Sequence, residues 1–274
     1  MHRATRVTAL SVALLAALAL FATAAAAKFI GGTPGNDNLV GTPRSDVILA
    51  RAGNDRVDGK AGRDFILGQE GNDRLLGHAG GDWLFGGPGD DYIQGDVPNA
   101  GDRHSRDRSY GDAGNDTIVG GDGRDWSWGG DGDDTILGNR GWDFLRGNSG
   151  NDKLYGNRGN DVIYANLGVD EEWGGAGNDR LWARARGDVT PGPGGVTDTV
   201  GDTLHGQWGN DRFFTRDGEV DNIDCGPGYD RAQLDTVDHI VDATATNPNG
   251  SCERVTRADP RPDADPNAEG PESP

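Results

Sequence analysis

Gly129-Gly130-Asp131-Gly132-Asp133-Asp134-Thr135-Ile136-Leu137 is the stretch on which the reading of the chain turns. Its frame is G-G-x-G-x-D-x-U-x with U apolar, and it returns at Gly174-Gly175-Ala176-Gly177-Asn178-Asp179-Arg180-Leu181-Trp182. Between Gly111 and Trp182 the sixth-position Asp recurs every nine residues, at Asp116, Asp125, Asp134, Asp143, Asp152, Asp161, Asp170 and Asp179. Nearer the N-terminus the same register holds at Asp37, Asp46, Asp55, Asp64, Asp73, Asp82 and Asp91, with Leu39, Ile48, Val57, Ile66, Leu75, Leu84 and Ile93 two residues on. A low-complexity linker has no reason to keep an apolar residue at one fixed place in every unit. Gly at the first, second and fourth positions admits the positive φ angles and close backbone approach of a tight turn.

This frame resembles the RTX, or hemolysin-type, calcium-binding nonapeptide repeats of secreted bacterial proteins. The resemblance implies an all-β fold, a right-handed parallel β-roll (β-solenoid) with two nonapeptides per coil. In each unit the Gly-rich six residues would form a calcium-binding turn and the last three a short strand. It further implies Ca²⁺ as the cofactor, held by the aspartates named above and by Asp211, which follows an interruption. Pairs eighteen residues apart would allow up to about eleven ions in regular register.

Elementary electrostatics points the same way. With eighteen residues per coil, Asp116 should lie next to Asp134 and Asp125 next to Asp143, one strand spacing of about 4.8 Å apart. Two carboxylates at that distance repel by roughly 0.9 kcal/mol at the dielectric of water and roughly 3.5 kcal/mol at an effective value of 20. The cost recurs down both sides of the roll, so a cation must sit between them. Ca²⁺ suits a frame that offers carboxylates and turn carbonyls and no His or Cys.

The chain divides by composition. Residues 1–27 carry Arg3 and Arg6, an apolar run from Val7 to Phe21 and an Ala tract, which reads as a secretory signal peptide and an extracellular destination. Residues 28–95 form a first repeat array, 96–110 an insertion loop, and 111–183 a second array. Residues 184–200 form a Gly/Pro-rich insertion, 201–235 degenerate repeats, 236–255 a C-terminal cap, and 256–274 a tail expected to be disordered. Cys225 and Cys252 are the only cysteines, and in a secreted chain they suggest one disulfide tying the cap to the last turn. Arg44 replaces the fourth-position Gly in the turn of Asp46. Ser127 and Glu172 replace the apolar residue, so that either the strand slips by one there and turns a Trp inward, or the core holds a polar group.

A formal charge of −19 argues against nucleic acid as a partner. Calcium is the expected one, with an extracellular or cell-surface polysaccharide as a further partner. The seven Trp allow two uses, packing or a carbohydrate-stacking strip, and Arg103, His104, Arg106 and Arg108 form a basic island facing solvent or an anionic polymer. No catalytic residues are assigned and the chain is not read as an enzyme. H-E-x-x-H is absent, the His are scattered, Gly147-Asn148-Ser149-Gly150 falls short of G-x-S-x-G, and the repeats leave too little chain for a separate catalytic domain. The alternative functions are a carbohydrate- or surface-binding adhesin and a polysaccharide-acting enzyme on the same roll.

Overall fold

The computed structural model describes residues 27–97, 105–183, 201–244 and 246–258. The signal-peptide reading, Arg103 and His104, the 184–200 insertion and most of the C-terminal tail lie outside them. Two parallel sheets, of 12 and 11 strands, take alternate strands in chain order. Each strand therefore pairs with the one a full coil later. Trp126–Asp131, for example, pairs with Phe144–Ser149, while Thr135–Gly141 between them pairs with Lys153–Arg158 in the other sheet. This is the expected β-roll, with two nonapeptides per coil.

The eighth-position residues form its core. On one sheet Ile48, Ile66, Leu84, Ser109, Ser127, Leu145, Ile163, Leu181, Phe213 and Ala232 stand one above another. On the other the column runs Leu39, Val57, Leu75, Ile93, Ile118, Ile136, Leu154, Glu172, Leu204, Ile223 and Ile240. Nearly all are fully buried, because side chains at positions seven and nine point outward and leave only the eighth to face the narrow interior. A buried Leu or Ile of this kind contributes about 1.5–3 kcal/mol.

Many strands are longer than the expected tripeptide, though several, such as Arg56–Asp58 and Arg180–Trp182, keep to it. Pairing runs on into the turn, as in Asn139 with Asn157 and Arg140 with Arg158, and Gly132 N–H donates to the Ser149 carbonyl at 2.7 Å. The second frame position takes a positive φ: 131° at Gly130, and 76° and 73° at Asn139 and Asn157, where Asn replaces Gly. Asn is the non-Gly residue that best tolerates this region.

The roll is continuous across both interruptions. Trp83–Pro88 pairs with Arg108–Ala113, and Glu171–Ala176 pairs with Thr203–Trp208. The sheets also run through the segment read as degenerate, and Arg254–Arg257 forms a last rung against Arg231–Leu234. Cys225 and Cys252 are joined by a disulfide with Cα atoms 5.4 Å apart.

Neither doubtful strand slips. Ser127 stays in register between Ser109 and Leu145, Glu172 between Leu154 and Leu204, and the flanking Trp126, Trp128 and Trp173 remain outward. A slip would have turned every neighbouring side chain over. Glu172 is fully buried with both carboxyl oxygens lacking a hydrogen-bond partner. Burial, then the charge of Asp170, push its carboxyl well above the usual range, and the Ala165 amide opposes this without closing a hydrogen bond. Burial thus disfavours charge on Glu172 at this apolar position. Glu172→Leu should raise the unfolding free energy by about 1–3 kcal/mol in denaturant titrations at fixed calcium; an unchanged or lowered value would mean the carboxyl has a stabilising partner.

Candidate metal centre

The Gly-rich turns bring the sixth-position aspartates into two columns, one along each edge of the roll. In one column the backbone N–H of each Asp donates to Oδ1 of the Asp one coil on: Asp46 to Asp64, Asp64 to Asp82, Asp125 to Asp143, Asp143 to Asp161, Asp161 to Asp179 and Asp179 to Asp211, at 2.7–2.9 Å. The other column links Asp37, Asp55, Asp73 and Asp91, then Asp91 to Asp116, Asp134, Asp152 and Asp170 in the same way. Every aspartate selected from the repeat frame stands in one of these columns. The turn of Asp46 is no exception despite Arg44: Asp46 is fully buried and accepts from the Thr42 N–H.

Five further aspartates complete the columns and are missing from the sequence-based set. Asp107 bridges Asp82 and Asp125. Asp202, Asp221 and Asp238 continue beyond Asp170, and Asp230 beyond Asp211. A signal for Asp107 existed, since it lies nine residues before Asp116, but Ser109 at its apolar position and the lost glycines hid it. For the others, coils of 32, 19 and 17 residues broke the eighteen-residue count.

The second oxygen of these carboxylates is the informative atom. In Asp55, Asp64, Asp73, Asp91, Asp107, Asp116, Asp125, Asp134, Asp143, Asp152, Asp161, Asp179, Asp202, Asp211, Asp221 and Asp230, Oδ2 is buried without a hydrogen-bond partner. A buried unpaired acceptor is costly. At the column ends the pattern changes: Oδ2 of Asp37 accepts from the Thr33 N–H, and Oδ2 of Asp238 from the Thr215 hydroxyl. Where the first position is Gly, as in the turns of Asp64, Asp73, Asp91, Asp116, Asp134 and Asp152, the orphan oxygen points at it; the turn of Asp55 carries Ala50 there instead. A Cβ on Gly129 would overlap both Asp134 Oδ2 and the Gly147 carbonyl oxygen of the next coil, and Gly147 stands likewise to Asp152 and the Ala165 carbonyl. Such mid-column turns gather a carboxylate oxygen and a carbonyl oxygen around one small volume without a hydrogen-bond donor, a set of ligand atoms suited to a hard cation.

Without a cation, burial raises these carboxyls, with the neighbouring carboxylates adding to it. Asp64, Asp91, Asp152 and Asp211 are pushed up to about 8, and Asp73 to about 6. A folded-state pKa above the unfolded value of 3.8 means that the calcium-free roll binds protons the unfolded chain has released. The contribution of these carboxyls to its stability is full below about pH 4 and is lost as the pH rises towards 8. Acid thus favours the calcium-free roll while weakening calcium binding.

Three outcomes are expected. Chelated protein should be more resistant to denaturant at pH 5 than at pH 8, and calcium addition at pH 7 should release protons, measurable in a pH-stat; calcium uptake without proton release would refute the protonated columns. Gly129→Ala should lower the calcium stoichiometry by filling one cradle, read by mass spectrometry under native conditions.

The sequence profile described as RTX calcium-binding nonapeptide repeat (4 copies) matches residues 31–66, 67–97, 105–136, 137–171, 173–185 and 201–219. No curated protein matches the chain. The matched segments cover more than half of the chain and coincide with the coils that carry the aspartate columns. The chain is a member of the RTX calcium-binding nonapeptide repeat family, and its β-roll binds Ca²⁺.

Proposed function

We propose that the protein is an exported scaffold whose roll is assembled by calcium, with the ions held between successive aspartates of the two columns. The observation that carries this is the run of buried Oδ2 atoms beside carbonyl oxygens of the next coil. The aspartates selected from the repeat frame, joined by Asp107, Asp202, Asp221 and Asp230, would supply the carboxylates. When bound, the ions supply positive charge and coordination between coils. The protein's own part is to place one carboxylate per turn, exclude side chains from the first Gly position and align the turn carbonyls.

Export is supported by the signal-like residues 1–27, by the disulfide, which persists in oxidising compartments, and by the affinity range of such modules. Extracellular calcium modules bind with Kd of about 10⁻⁴ to 10⁻³ M, above cytosolic calcium. Metal binding to a site absent from the unfolded chain contributes directly to folding. Among the described residues no helix is long and apolar enough to cross a membrane. The role proposed is binding and scaffolding, without catalysis.

The aromatic strip does not favour sugar stacking along its length. Phe85, Tyr110 and Trp128 stack on one another at centroid distances of 4.7 and 4.5 Å, and Tyr164, Trp182 and Phe214 do so at 4.5 and 4.6 Å. Ring faces that a sugar would need are thus covered by neighbouring rings. Trp142 and Trp208, 60% and 69% exposed, are the tryptophans left open.

Far-UV circular dichroism and limited proteolysis through a calcium titration test the proposal. Chelator-treated protein at pH 8 should lose its β-sheet spectrum and protease resistance, and retention of both would overturn calcium-driven assembly. Asp143→Ala, mid-column between Asp125 and Asp161, should raise the calcium midpoint by about threefold or more. Asp37→Ala, at a column end where Thr33 already satisfies the carboxylate, should shift it less.

A further inference from the structure

Position seven of the frame points outward, and on one sheet it is Arg in four successive rungs near the C-terminal end. Arg180 pairs in register with Arg212, Arg212 with Arg231 and Arg231 with Arg254. All four are exposed, and among the described residues none of them is in an ion pair. Arg231 alone has an aromatic partner, with its guanidinium 5.8 Å from the Tyr229 ring centre.

Like charges directly opposite each other on neighbouring strands are destabilising, and here they meet at three consecutive steps. This happens in a chain with 45 acidic residues available for pairing. The four arginines stand in register at successive rungs along the roll axis, one per strand spacing of about 4.8 Å, and form a rail.

We propose that this rail binds a linear carboxylated polysaccharide lying along the roll. Each planar guanidinium matches a carboxylate in a two-bond fork, and a charged polymer running along the axis meets one fork per rung. Two residues on, the same face carries Phe214, Gln233 and Thr256 at successive rungs. An amide and a hydroxyl beside the guanidiniums suit a polymer whose units carry hydroxyls as well as one carboxylate, and this favours an acidic sugar chain over a bare polyphosphate.

The test uses the full chain at saturating calcium, short oligogalacturonides as the probe, and calorimetry as the readout. Circular dichroism of every variant confirms calcium folding separately, so that a failure of the roll is not mistaken for a failure of the rail. Arg212→Gln with Arg231→Gln should weaken binding about tenfold and flatten its salt dependence. Arg56→Gln with Arg63→Gln removes the same charge elsewhere and should leave binding unchanged. Equal weakening by both pairs, undiminished binding of methyl-esterified oligogalacturonides, or binding of inorganic polyphosphate in place of the sugar probe would overturn the proposal.

Discussion

Everything in this molecule depends on bringing one carboxylate per half-coil into a buried column and keeping it there. The backbone N–H of one Asp donates to Oδ1 of the next, which fixes the carboxylate and directs its other oxygen into the turn. Taken alone the arrangement is unfavourable, since desolvation and mutual repulsion both oppose charge at these sites. A proton neutralises each group singly. A divalent cation neutralises two groups and also gives the turn carbonyls a partner, which is why the same columns can be acid-tolerant without metal and metal-dependent near neutrality.

The hydrophobic core is subordinate to that constraint. It is two columns of single side chains, and it tolerates Ser109, Ser127 and even Glu172 without loss of register. Such tolerance follows from the hydrogen-bonded continuity of the sheets, which carry each strand past a poor core residue. Outward-facing rings stacked rung on rung add a second line of packing outside the sheets, where sequence reading had left their use open.

A parallel roll has no need of equal coil lengths, provided that extra residues leave and re-enter at a turn. Coils of 25, 32 and 19 residues all return an Asp to its column. The binding machinery is therefore set by stacking, and sequence spacing is only its usual consequence. The same stacking converts scattered outward residues into rails, as with the arginines of the last four rungs on one sheet.

By itself the sequence determined the repeat, the all-β roll with two units per coil, the inward residue of each unit and the aspartates wherever the nine-residue period was intact. These are local properties: glycine conformational freedom, alternation along a strand, and like charges that must be compensated at a strand spacing. Tertiary structure decided whether the roll bridged its interruptions, that Asp107, Asp202, Asp221, Asp230 and Asp238 complete the columns, and that Ser127 and Glu172 stay inward. It also decided that Arg180, Arg212, Arg231 and Arg254 share one line. The physical reason is that each of these depends on which residues lie one coil away, and once a loop of arbitrary length is inserted, that neighbour relation is held by interstrand hydrogen bonds and is no longer a count along the chain.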